Sequence, residues 1–143
     1  PKAGKISRAK FLKNVIGLSE LTEKVKQTFR RRGYLNGLDG RKLHVRSEHS
    51  ALNTLLQSAG AVIMKKALVI LDGYLQMVGF VPGEDYEFVA NIHDEFQIEC
   101  KEKYARQISG YANGSFQAAG EYFEFGCKIT GTSQTGPDWS TTH

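Results

Sequence analysis

Residues 88–100 read FVANIHDEFQIEC, two short apolar-rich runs from Phe88 to Cys100 parted by His93-Asp94-Glu95. Phe88, Ala90 and Ile92 alternate with Val89 and Asn91, and Phe96, Ile98 and Cys100 alternate with Gln97 and Glu99, the period-2 pattern of strands with one buried face. The stretch predicts a β-hairpin. A tight hairpin turn ordinarily takes Asn-Gly or Asp-Gly because its central residues need positive φ, yet this one offers a histidine, two carboxylates and no glycine. Turn chemistry this unfavourable is tolerated mainly where a site requires it. Paired acids at a hairpin tip give a divalent cation hard oxygen ligands and leave positions open for substrate. The alternative is a longer solvated loop with ordinary charged residues, and the tripeptide alone does not separate the two.

A chain of 143 residues, 41% of them hydrophobic, is long enough for one core and short for two, so one globular unit is expected. Cys100 and Cys127 show neither CxxC nor Cys/His spacing, which suggests no zinc site and no disulfide framework. With no signal-like start and no apolar run of membrane-spanning length, the sequence is read as soluble and cytosolic. Charge is unevenly spread: residues 1–46 hold 13 of the 19 Lys and Arg against three acids (Glu20, Glu23, Asp39), whereas the remainder is net acidic. That asymmetry fits a basic flank facing a polyanion and an acidic region able to hold cations; a solvated, lysine-rich helix surface would look the same.

Along the chain, a helix is expected from Ser7 to about Val15. A second runs from a cap at Ser19, with acids in its first turn and Arg30-Arg31-Arg32 before Gly33, charges that complement the helix dipole. Tyr34 to Val45 reads as a hairpin turning at Asp39-Gly40. The longest helical signal, from about Ser50 to Val78, is apolar on most sides and predicts a buried central helix. Val81–Asp85 is a turn, Lys101–Ala119 an amphipathic helix weakened by Gly110 and Gly114, Tyr122–Ile129 a last strand, and the tail from Gly131 a loop. The fold class is α+β: a small antiparallel sheet packed on a long central helix with flanking helices.

His49, Asn53 and Gln57 interrupt the apolar surface of the long helix at i, i+4 and i+8, one stripe of hydrogen-bonding side chains. On a buried helix such groups need partners, since an unsatisfied buried polar group costs on the order of 1–3 kcal/mol. Protein backbone in an ordinary core network would serve, and so would a nucleic-acid groove.

Taken together, residues 37–64 (GLDGRKLHVRSEHSALNTLLQSAGAVIM), Ile92-His93-Asp94-Glu95 and the terminal Trp139-x-x-x-His143 resemble the C-terminal part of a family A, polymerase I-type DNA polymerase, the phage replicative branch above all. Three separated motifs in the family's order make the resemblance specific, where His-Asp-Glu alone would be weak. It implies that the hairpin is the palm's motif C, with Asp94 a ligand of two catalytic Mg²⁺ ions, Glu95 a supporting acid that also approaches the metals, and His93 near the primer's 3′-terminal nucleotide. A carboxylate shared by two such ions must be fixed at about 2.0–2.1 Å from each, which a hairpin tip does better than a loose loop. Asn53 and Gln57 match an Asn-x-x-x-Gln that faces the minor groove of the primer-template. There the acceptors are shared among base pairs, so amide donors test pair shape without reading sequence. His49 stands where bacterial enzymes have arginine. Arg41, Lys42 and Arg46 would bind phosphates without regard to sequence.

Motif A, with the other metal-binding aspartate, and motif B, which holds the incoming dNTP, have no equivalent in residues 1–36. The resemblance therefore implies a helical remnant of the fingers at 1–36 and the C-terminal part of the palm at 37–143, inactive alone and dependent on an upstream polymerase segment carrying both motifs. Surfaces meant for that segment would favour self-association. A non-catalytic DNA-binding remnant is the second reading. A small metal-dependent phosphodiesterase using Asp94, Glu95 and His93 is the third, and it leaves the Asn53/Gln57 stripe unexplained.

Overall fold

The computed structural model describes residues 14–142 together with Gly4, Ser7, Lys10 and Phe11. Of the helix expected from Ser7 to about Val15, Ser7, Lys10, Phe11 and Asn14 are helical, while residues 8, 9, 12 and 13 lie outside this set, as does His143. Contacts group the chain into two compact units, Pro1–Ala59 and Gly60–His143. The division lies inside a helix that is itself continuous from Ala51 to Met77.

In the first unit, helix α1 (Leu18–Arg32) leads into a hairpin of β1 (Tyr34–Asn36) and β2 (Lys42–His44). Gly17, at φ 81°, caps α1 in place of the expected Ser19, which lies inside the helix: a left-handed residue turns the chain in before the serine is reached. Gly33, also left-handed, ends α1 as its N–H donates to the Phe29 carbonyl at 2.8 Å. The hairpin turns through Gly37–Arg41, closed by the Gly37 N–H on the Arg41 carbonyl at 2.8 Å, with Gly40 at φ 81°. Leu35 and Leu43 pair across the strands and pack with Val25, Val45 and Ala51 as this unit's core, flanked by Phe29, Leu52 and Leu55. A single 3-10 turn, Glu48–Ser50, precedes α2 (Ala51–Met77) and is closed by reciprocal bonds between Ser47 and Ser50.

The second unit holds the rest of α2, the hairpin β3 (Tyr86–Ile92) and β4 (Glu95–Cys100), and α3 (Ala105–Tyr122). Met64, Ala67, Leu71 and Leu75 are buried along one stripe of α2, at intervals of three and four residues. The expectation of a buried helix thus needs correcting, because Val69 (64% exposed) and Met77 (76%) lie open off that stripe. The segment Glu48–Met77, 30 residues, contains an 18-residue stretch of mean hydropathy 1.5 that is 17% buried, and so is also long and apolar enough to cross a membrane, contrary to the sequence reading; Leu71 and Leu75 nonetheless pack it into a protein core. The helix ends in a paired motif: Gly79 N–H donates to Gln76 and Phe80 N–H to Leu75, with Gly79 at φ 93° and Phe80 folded back on Leu75's cluster.

An isolated two-stranded ribbon is marginal in water. This one is held by its underside: Tyr86, Phe88, Phe96, Ile98 and Cys100 join Leu71, Leu75, Phe80, Ile108 and Ala112 in one cluster. Full burial of Leu71 and Leu75 stabilises it by about 1.5–3 kcal/mol each. The strand alternation holds in part. Phe88 pairs with Ile98 but Ala90 pairs with Gln97, so Val89 is an extra residue, a β-bulge. Beyond it Asn91 pairs with Phe96 and Ile92 with Glu95, which puts Ala90 and Ile92 on the face opposite Phe88. The reason is a parity conflict. Nine residues separate Phe88 from Ile98, an odd number, whereas a two-residue turn needs an even number between paired residues; the bulge absorbs one.

The last strand expected at Tyr122–Ile129 is absent. Helix α3 closes there with Phe125 N–H on the Gly120 carbonyl and Glu124 N–H on Glu121, which forces Glu124 to φ 54°. The chain then folds back onto α3. A Cβ at Gly120 would stand 2.8 Å from Ile129 Cγ1, and one at Gly131 would stand 2.6 Å from the Phe116 ring, so both glycines are needed for close approach. Phe116 in turn stacks on Phe96 of β4 with ring centroids 5.3 Å apart.

Beneath the hairpin, the Tyr86 hydroxyl donates to Asp72 Oδ1 at 2.5 Å, and Gln76 Nε2 donates to Asp72 Oδ2 at 2.7 Å. Burial first, and the Asp72 bond second, push the Tyr86 phenol up from 10.0 to about 12. A raised folded-state value means that the stability held by the neutral phenol is intact below about pH 10 and is lost as pH climbs towards 12. Absorbance titration at 295 nm will show one tyrosine ionising about two units late, and Tyr86→Phe will abolish that late step together with the stability lost between pH 10 and 12; an unchanged profile would refute the buried bond.

Candidate functional site

The turn joining β3 to β4 has only two residues, His93 and Asp94, because Glu95 is already the first residue of β4. His93 has φ 52°, the sign a two-residue hairpin turn demands and one that glycine meets without strain. The shape and the core contacts of both strands hold it there. His93 and Asp94 are exposed at the tip and Glu95 is half-buried.

Register decides where the acids point. Glu95 shares a face with Ile92 and Gln97, and the core side chains Phe96 and Ile98 occupy the other. Gln97 Nε2 donates to Glu95 Oε1 at 3.3 Å, and Gln97 Oε1 lies 3.4 Å from the Thr142 hydroxyl in the tail. Sequence reasoning passed over both of these residues. Gln97 had a signal, a polar side chain two positions after an acid on one strand; Thr142 had none, because its partner lies 45 residues away.

Asp94 and Glu95 offer oxygen donors of the kind Mg²⁺ takes. They are too few to hold it unaided: among the described residues no group of three or more His, Cys, Asp or Glu side chains converges on one point.

The polar stripe is placed differently from expectation. Asn53 and Gln57 lie on α2, whereas His49 lies in the preceding 3-10 turn, whose tighter winding takes it off the α-helical i, i+4 line. All three are exposed in this chain, so no burial penalty requires a protein partner for them. Arg41, Lys42 and Arg46 are exposed as well. Arg41 Nε donates to Asp39 Oδ2 at 2.6 Å, and this contact holds the Asp39 carboxyl below its usual range. Lys42 Nζ sits 4.9 Å from the centre of the Tyr34 ring. Of the arginine run, Arg30 is committed to structure through a two-pronged bond with Glu48, Nε to Oε2 at 2.8 Å and a terminal nitrogen to Oε1 at 2.5 Å, while Arg31 and Arg32 stay exposed.

This arrangement of helices and small antiparallel hairpins superposes on a solved polymerase domain. The POL domain of Pol1 from M. smegmatis, in complex with DNA primer-template and dNTP, matches with a TM-score of 0.70 and 19% identity over 82% of this chain and 22% of that one. The sequence carries the assignment further. The chain belongs to DNA polymerase family A, whose sequence model matches residues 6–141. It is 35% identical to the DNA-directed DNA polymerase of Escherichia phage T7 and 36% identical to that of Enterobacteria phage T3, in each case over 98% of this chain and 22% of the relative. DNA polymerase I of Aquifex aeolicus is 29% identical over 81% of the chain. The chain thus spans about a fifth of the length of the phage polymerases it matches.

The left-handed turn has a measurable signature. His93→Gly should leave stability within about 1 kcal/mol of the parent, whereas His93→Val, whose branched side chain suits positive φ badly, should cost about 1–2 kcal/mol in urea unfolding. A valine variant as stable as the parent would show that the turn stores no strain.

Proposed function

We propose that this chain supplies the C-terminal part of the palm of a DNA-directed DNA polymerase and is inactive by itself. In this reading residues 1–36 correspond to a helical remnant of the fingers and 37–143 to the palm. One observation carries it: in a member of family A, an aspartate occupies the tip of a two-residue turn and a glutamate follows it on the strand. Bound Mg²⁺ would supply the charge neutralisation and hydroxyl activation that nucleotidyl transfer needs. Asp94 would be a ligand to it, Glu95 a supporting acid, and the missing donors would come from an upstream polymerase segment bearing motifs A and B and from the nucleotide's phosphates. His93, at the exposed tip, would meet the primer's 3′-terminal nucleotide.

Asn53 and Gln57, open to solvent here, would donate to minor-groove acceptors of the primer-template, with His49 at the edge of that contact. Arg41, Lys42 and Arg46 would hold phosphates, joined by Arg31 and Arg32. These substrates, and a cytosolic setting without a membrane partner, belong to the same reading; the phage relatives would make that the host's cytosol. A non-catalytic DNA-binding remnant stays as a second reading because the exposed basic groups of the first unit need no metal to hold a duplex.

Primer extension decides between the two. The chain alone should incorporate no nucleotide with Mg²⁺ and four dNTPs. Mixed with the segment carrying motifs A and B it should regain synthesis, and Asp94→Ala in that mixture should lower the rate at least about a hundredfold. Robust synthesis by the chain alone would overturn the dependence on that segment, and DNA binding without any restoration would favour the remnant. Exposed Leu56, Val69, Met77 and Val78 on α2 and its end further predict self-association. Sedimentation should show dimers or larger species growing with concentration, and a sharp monomer throughout would refute this.

A further inference from the structure

The outer face of the β3–β4 hairpin carries a line of polar contacts that the proposed chemistry does not use. Glu95 and Gln97 are two apart on β4, on the face away from the core, and the Gln97 amide donates to the Glu95 carboxylate at 3.3 Å. The other end of the same amide meets the tail, where the Thr142 hydroxyl lies 3.4 Å from Gln97 Oε1 and 3.2 Å from the Trp139 carbonyl. The Asp138 carbonyl lies 3.5 Å from the same hydroxyl, and since a hydroxyl has one proton to give, these three acceptors share it.

That hydroxyl is set by a small, well-bonded turn. Asp138 caps the 3-10 turn Trp139–Thr141: its carboxylate accepts from the Ser140 hydroxyl at 2.7 Å and from the Thr141 N–H at 3.1 Å, and its carbonyl accepts from the Thr141 hydroxyl at 2.7 Å. These bonds hold the Asp138 carboxyl below its usual range, the Ser140 contact being the largest cause. An amide whose oxygen is engaged from the tail has its NH₂ group turned the opposite way, towards Glu95. The order is fixed by hydrogen-bond chemistry: an ionised carboxylate only accepts, so the side chain facing it must present donors, and glutamine then has an acceptor left for the hydroxyl.

We propose that Gln97 is a positioning residue that aims the Glu95 carboxylate, and that the Asp138–Thr142 turn acts on Glu95 through it. This rests on the reading of Glu95 as a supporting acid for nucleotidyl transfer. Asp94, at the tip, has no part in the line, so the two adjacent acids are held differently: Asp94 by the backbone of the turn, Glu95 by a side chain anchored in the tail.

The test has two arms. In the chain itself, one Gln97 side-chain NH proton should resonate downfield of the other glutamines by NMR. Glu95→Ala should return it to the common position, and Thr142→Val should shift it partway while leaving the backbone spectrum of β3 and β4 in place. In the mixture with the motif A and B segment, Gln97→Ala should lower kcat about three- to tenfold with the KM for primer-template within twofold. Gln97→Glu, which sets a second carboxylate against the first, should lower it further. A Gln97 amide indistinguishable from free glutamine, or insensitive to Glu95→Ala, overturns the proposal. So does a Gln97→Ala enzyme with parental kcat, or one whose KM and kcat worsen together with a disturbed β4 spectrum, the mark of a purely structural role. If the parental mixture shows no synthesis, the polymerase reading has failed, and the NMR arm still decides whether Gln97 orients Glu95.

Discussion

The structure of the second unit depends on one apolar contact, the underside of the β3–β4 ribbon against Leu71 and Leu75 of α2 and Ile108 and Ala112 of α3. Two strands cannot sustain themselves in water, and here the helices supply what further strands would supply in a larger sheet. Because Phe88 and Ile98 must both face that cluster, their pairing is fixed before the turn is reached. Everything at the tip follows: the bulge at Val89, the two-residue turn, the positive φ of His93 and the emergence of Glu95 on the outer face. The acid is positioned by grease several residues away.

Much of this was legible in the sequence. Alternation located both arms of the ribbon, and the lack of glycine at His93-Asp94-Glu95 marked the turn as costly, which the left-handed His93 bears out. Gly33 ends α1 where its position said it would. The failures share a cause, that a side-chain pattern reports a preference and not its partner. Strict alternation cannot reveal a bulge, because the bulge arises from a conflict between core pairing and turn length. The segment Tyr122–Ile129 has the aromatic content of a strand but finds no strand to pair with, and it serves to end α3 and return along it. A run of aliphatic residues reads as a buried helix, yet α2 buries one stripe only.

At the candidate site the sequence supplied residue types and the structure supplied their directions. The resemblance to family A polymerases, with the family itself established across residues 6–141, gave His93, Asp94 and Glu95 their proposed roles. Nothing in spacing could have joined Gln97 to Thr142, since a contact spanning 45 positions exists only after the tail has packed through Ile129 and Gly131 onto α3. Nor could composition separate Arg30, which serves the fold through Glu48, from Arg31 and Arg32, which stay open to solvent.

The irregularity at Val89 also sets how the ribbon can change length during evolution. Removing Val89 would leave Phe88 opposite Ile98, Ile92 opposite Glu95 and the same two residues at the tip, with only the local kink gone. Removing any one residue from 95–97 would also straighten the ribbon, but the bend would recentre on Ile92 and His93 and draw Asp94 into the strand. The two arms are therefore unequal to gene drift: the incoming arm has one residue of slack, and the outgoing arm has none.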